Sequence, residues 1–125
     1  MLQLKVVPGE YAVCRLDPDA PIPGWALTGP VSSVTRTPDE LSIVCPEAQV
    51  PAGVRCENGW RGIKIQGPLP FSLTGVLASV ADPLSEAGIS LFAISTYDTD
   101  YVLVKGAKLD DALAALSLAG HMMTR

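Results

Sequence analysis

The chain has 125 residues, a net charge of −4 and a hydrophobic fraction of 48%. That length supports one compact unit or two very small ones, and such a chain buries roughly two-thirds of its unfolded surface without needing staples. The acidic balance disfavours nucleic acid and anionic membrane as partners, and no apolar run approaches the roughly 20 residues that span a bilayer.

The amino-terminal MLQLKVVPGEYAV lacks the charged-then-apolar pattern of a signal segment, so a cytoplasmic protein is expected. Eight of the eleven prolines lie before residue 60, which excludes long helices from the first half. That half reads as strands over Leu2–Val7, Tyr11–Leu16, Val31–Arg36 and Leu41–Cys45. The Pro18–Pro30 stretch reads as a loop with one helical turn around Trp25. Trp25 and Trp60 are read as core or interface aromatics rather than ligand platforms. Cys14, Cys45 and Cys56 are an odd count without CxxC spacing, each in or beside a strand. They are read as buried thiols in a reducing compartment, not as a disulfide or metal ligands.

Longer elements follow. Trp60–Gln66 alternates, with Ile63 and Ile65 on one face. Leu73, Val76, Val80, Leu84 and Ala87 step by three or four, one face of a helix, and Gly88 ends it. Pro83 falls inside this stripe and is expected to kink or restart the helix, with Asp82 as a new cap. Ile89–Thr96 is apolar on both faces, which predicts a central strand covered on both sides. The Asp98-Thr99-Asp100 turn leads to a strand over Tyr101–Val104. Leu109, Ala112, Leu113 and Leu116 mark a second helix, opened by Asp110 and Asp111 near its positive end and stopped by Gly120. His121–Thr124 can form a last short strand, with His121 at the surface. From Trp60 the order is βαββαβ, an α+β ferredoxin-like arrangement with an antiparallel sheet and helices on one face.

An internal echo accompanies this order. Thr35–Val44, TRTPDELSIV, aligns without gaps to Ser95–Val104, STYDTDYVLV, 60 residues on. A hydroxyl residue, an acidic turn and a strand ending in Ile or Leu before Val recur, which reads as a degenerate duplication. It suggests two units, 1–54 and 55–125, the first without room for its first full helix. Catalysis finds little support. No Walker loop, G-x-S-x-G, H-E-x-x-H or cysteine–histidine pairing is present, and His121 is the only histidine. No metal or cofactor is indicated.

The second half resembles the ACT domain, a small regulatory module of amino-acid enzymes. It is most similar to the paired ACT domains of arginine sensors and aspartate kinases. Phe71–Ala78 is similar to the family's loop-to-helix segment, Ala87–Thr96 to its helix-to-second-strand segment, and Tyr97–Val104 to its turn and third strand. The resemblance implies an amino-acid effector, bound between Leu73, Thr74, Gly75 and Val76 on one side and Ile94, Ser95 and Thr96 on the other, with Asp98 at the mouth. Helix-opening amides around Thr74–Val76 suit a carboxylate. Gly75 permits close backbone approach, and Gly75→Arg is expected to fill the space without cost to the fold. Strand carbonyls of Ile94–Thr96 can accept from an ammonium, and Asp98 and Asp100 can meet a cationic side chain. Each residue also has a plainer reading: Ser72 as an N-cap, Gly75 as a packing residue, Asp98 and Asp100 as turn formers. Two functions are carried forward. One is a ligand-sensing regulatory homodimer that acts on an enzyme or other protein. The other is an assembly module that keeps the fold without a ligand.

Overall fold

A computed structural model describes residues 1–70 and 72–124. Phe71, part of the loop-to-helix resemblance, lies outside the described residues. Strands are β1 Gln3–Leu16, β2 Ser33–Arg36, β3 Leu41–Pro46, β4 Cys56–Ile65, β5 Leu91–Ser95, β6 Asp100–Lys105 and β7 Met122–Thr124. The α-helices are α1 Val76–Glu86 and α2 Leu109–Leu118, with 3-10 turns at Gly24–Leu27, Glu47–Gln49 and Gly106–Lys108. The chain divides into two compact units, one of Met1–Pro8 with Arg61–Arg125 and one of Gly9–Trp60. This division gives the first eight residues to the later half, where a linear split at residue 54 would not.

The unit holding both helices has strands in the order β7-β1-β4-β6-β5, with β7 parallel to β1 and β5 antiparallel to β6. It is the βαββαβ arrangement, with the opening stretch of β1 added between the first and last strands of that pattern. The alternation in β1 and β4 explains the packing. Leu4, Val6, Ile63 and Ile65 point at the helices, where Val80, Leu84, Leu109, Ala112 and Leu116 meet them together with Val102 and Val104. Burying a Leu or Ile side chain of this kind contributes about 1.5–3 kcal/mol.

The other unit holds β2, β3 and the remaining lengths of β1 and β4. Its core is Ala12, Cys14, Ala26, Leu41, Ile43 and Cys45, with Trp25 and Cys56 packed against it. The Pro18–Pro30 loop contains one 3-10 turn at Gly24–Leu27. Arg36 fastens it by donating to the carbonyls of Pro18 and Ala20.

Four sequence expectations change. Leu2–Val7 and Tyr11–Leu16 are one strand, because Gly9 at φ 90° carries the chain through a conformation that other residues resist. Pro8-Gly9 is therefore not a turn. The Ile89–Thr96 stretch is not a central strand: β5 ends the sheet order beside β6 alone, and Ile89 precedes it in the core. Apolar residues on both faces signalled two covered faces, but not a strand on each side.

His121 is not at the surface. It is 8% exposed, its Nδ1 accepts from the Leu2 amide at 3.2 Å, and its Nε2 lies 2.8 Å from the Ser79 carbonyl. An acceptor Nδ1 places the proton on Nε2, which donates to Ser79. That contact also bears on α1, which runs on through Pro83 as one helix and does not restart with Asp82 as a new cap. Proline at 83 has no N–H for the carbonyl four residues earlier, which is that of Ser79. His121 supplies the missing donor.

The internal echo is present as hydrogen bonds, one residue out of the gapless alignment. In the β5–β6 turn, Thr96 N–H and Oγ1 donate to the Thr99 carbonyl at 2.8 and 3.0 Å, and Thr99 N–H donates to Thr96 Oγ1 at 3.3 Å. In the β2–β3 turn, Thr37 makes the same set with Glu40, at 2.9, 3.4 and 3.2 Å. Thr37 thus corresponds to Thr96, at a spacing of 59. The gapless match followed strand composition, whereas the threonine hydroxyl fixes where the turn closes.

Candidate functional site

The β5–β6 turn is pinned from outside as well as within. Thr99 is 6% exposed, and its hydroxyl donates to the Ile65 carbonyl at the end of β4, 2.6 Å away. The Asp98 carbonyl accepts from Leu69 N–H at 2.7 Å. These bonds hold Ile65 and Leu69 against the turn.

The result is a cavity of about 190 Å³ lined by Leu69, Pro70, Leu73, Val76 and the run Ser95–Asp100. It is smaller than the sites that take drug-sized molecules, so it suits a ligand of few atoms. Its walls divide by chemistry. Leu69, Pro70, Leu73 and Val76 are apolar, whereas Ser95, Thr96, Asp98, Thr99 and Asp100 offer hydroxyls, carbonyls and two carboxylates. A second cavity of about 190 Å³ shares Thr96, Asp98 and Thr99 with the first and is completed by Lys64, Gly67, Pro68 and Tyr101. Lys64 Nζ sits 6.0 Å from the Tyr101 ring centroid, at the limit of a cation–π contact. The turn is therefore a wall between an acidic recess and one with a lysine.

Of the residues expected at the site, Leu73, Val76, Ser95, Thr96 and Asp98 line the first cavity. Thr74 and Gly75 lie in the same loop but are not lining residues, and both are exposed. Ile94 is also absent from the lining: it pairs with Tyr101, and the alternation of β5 turns its side chain from the face that Ser95 presents. Ser72 is not the helix cap. Gly75 takes that position, at φ 75° and without a side-chain cap bond. A Cβ at Gly75 would meet no atom within 4 Å, but its left-handed backbone makes any substitution cost about 1–2 kcal/mol. Gly75→Arg therefore strains the fold and points into open space, contrary to the expectation from sequence.

Asp100, expected to face a cationic side chain, also lines the cavity; Leu69, Pro70, Tyr97 and Thr99 complete the lining and were not expected there. The available signals are the Pro68-Leu69-Pro70 run, which stiffens a loop, and Thr96-x-x-Thr99, whose hydroxyl can close a turn. Neither signal says that loop and turn are joined by the Leu69–Asp98 bond. Among the described residues, no group of three His, Cys, Asp or Glu side chains is arranged to hold a metal ion, and no helix is long and apolar enough to cross a membrane.

Comparison with known proteins agrees with this architecture. A family model described as an ACT domain matches residues 55–117, and a second, described as an N-terminal domain, matches residues 9–53. The crystal structure of an Agobacterium tumefaciens protein is 43% identical, with a TM-score of 0.94 over 98% of this chain and 92% of that one. The regulatory subunit of Thermus thermophilus aspartate kinase shares the fold at 16% identity, with a TM-score of 0.61 over 96% of each chain. The human cytosolic arginine sensor for mTORC1 subunit 1 is 46% identical over 46 residues, which are 36% of this chain and 14% of the sensor. The chain thus matches only a small part of that curated relative's length. With the family model covering half of its residues, the chain belongs to the ACT-domain family.

Proposed function

We propose that this protein is a cytoplasmic small-molecule-binding regulator that takes up an amino acid in the cavity between the 66–75 loop and the β5–β6 turn. It performs no chemistry on the ligand and passes the binding signal to an enzyme or other protein. The observation that carries this reading is the meeting of Leu73, Val76, Ser95, Thr96 and Asp98 around one cavity. Related proteins include a sensor named for arginine and regulatory subunits of aspartate kinase, which supports an amino acid as the ligand class. Amides at the start of α1 suit the carboxylate, and carbonyls of the turn suit the ammonium. Asp98 and Asp100 favour a cationic side chain.

A thermal-shift panel of the twenty amino acids tests the proposal. A true ligand at 100 times its dissociation constant adds about 2.7 kcal/mol of stability. Asp98→Asn is expected to weaken a cationic ligand by about 1–3 kcal/mol and to leave a neutral one nearly unchanged. No shift with any amino acid would favour the assembly module over the sensor.

Assembly is part of the proposal. β5 ends the sheet order, and its sequence LFAIS carries no charge. An apolar edge of this kind invites a second strand unless it is covered. A second copy is the proposed cover, giving a homodimer by light scattering at high micromolar concentration. A monomer under those conditions would remove that element.

A further inference from the structure

The three cysteines lie apart from the ligand cavity, in the Gly9–Trp60 unit, and the strand register gathers them. β1 and β3 pair Ala12 with Cys45 and Cys14 with Ile43, so Cys14 and Cys45 are diagonal neighbours on one face. On the other flank of β1, Arg15 N–H donates to the Arg55 carbonyl at 2.9 Å, which sets the start of β4 at Cys56 alongside Cys14. Cys14 therefore sits between the other two, and both act on its thiol. All three are free; Cys14 and Cys45 are buried and Cys56 is half-buried. The Cys56 thiol donates to Asn58 Oδ1 at 3.4 Å.

The environments assign different roles. Burial, reinforced by the neighbouring thiols, pushes the Cys14 thiol up to about 12, and burial also raises Cys45. Neither inner thiol competes with Cys56 for an oxidant arriving from solvent, but the strand register holds Cys14 beside Cys56. Cys56, at the rim, is the one a small oxidant reaches first.

We propose that Cys56 and Cys14 form a reversible redox pair, in which Cys56 meets a hydroperoxide and Cys14 closes a disulfide between β4 and β1. With hydrogen peroxide, the Cys56 sulfur attacks one peroxide oxygen and the O–O bond breaks. The leaving hydroxide takes up a proton as water, and Cys56 becomes a sulfenic acid. The Cys14 sulfur then attacks the Cys56 sulfur. An S–S bond forms, the S–O bond breaks, and hydroxide leaves with the Cys14 proton as a second water. Two thiols are oxidised by two electrons, and the peroxide is reduced to two waters. Cys45, behind Cys14, stays a thiol. In a reducing compartment such a bond is transient and serves as a signal rather than a staple. This site is independent of amino-acid binding.

The test is thiol mapping of the native protein. The folded chain is treated with hydrogen peroxide, quenched with catalase, denatured, alkylated, digested without reductant and read by mass spectrometry. The expected result is a fall from three free thiols to one, a Cys14–Cys56 linked peptide, alkylated Cys45, and full recovery with dithiothreitol. Cys45→Ala is expected to keep the linked peptide and Cys56→Ser to lose it. Three intact thiols, a Cys14–Cys45 link, Cys56–Cys56 dimers, or Cys56 sulfinic acid beside a free Cys14 would each overturn the proposal.

Discussion

Replacing His121 by alanine is expected to lower the stability to urea by about 1–3 kcal/mol, the cost of leaving buried polar groups without partners. Two groups lose their partner at once. One is the Leu2 N–H, at the point where β1 begins beside β7. The other is the Ser79 carbonyl, which Pro83 leaves without a helix donor. The second loss can be isolated. In Pro83→Ala the new amide can donate to Ser79, so the His121→Ala penalty should shrink in that background. A coupling of about 0.5–3 kcal/mol is the range for residues that share a partner. An identical penalty in both backgrounds would mean that His121 and Pro83 are independent.

Gly67→Ala is expected to cost about 1–3 kcal/mol, as an overpacked site does. A Cβ there would stand 3.0 Å from the Asp98 carbonyl oxygen and 3.2 Å from both Leu69 N and Thr99 Cβ. None of these can move away freely. Leu69 N–H is bonded to the Asp98 carbonyl, and Thr99 is anchored to Ile65. The methyl must pry the loop from the turn, which opens the cavity as it destabilises the fold. A fall in melting temperature together with loss of ligand-induced stabilisation is therefore expected. Gly24→Ala is the control: its Cβ would meet nothing within 4 Å, and its stability should be unchanged. Equal melting temperatures for the two variants would show that the loop yields at no cost.

Sequence patterns carried the helical half of the fold because its periodicities are strong. Val80 and Leu84, then Leu109, Ala112 and Leu116, are the buried faces that their spacing announced. The cavity lining was legible where its residues flank a helix start or end a strand, as Val76 and Ser95 do. Ile94 was misplaced because a contiguous motif ignores strand alternation, which sends neighbours to opposite faces. His121 was unreadable for another reason. The group it serves is created by Pro83, and only the folded chain brings position 121 to the carbonyl at 79. The meeting of three thiols was hidden likewise, since it depends on the registers of three strands and not on any spacing along the chain.

The addition of β1 between β4 and β7 has a consequence for the order of folding. Met122 N–H donates to the Leu2 carbonyl, Gln3 pairs with Met122, and the Leu2–His121 bond joins residues 119 positions apart. Contacts of such separation make folding slow, because the chain gives up loop entropy before they reward it. On the ribosome, β1 emerges well before β7 and waits for it. Helix α1 likewise forms with one carbonyl lacking a donor until a residue synthesised long after it arrives. Completion of the sheet and completion of that helix are then one closing event, set by the arrival of His121 and Met122.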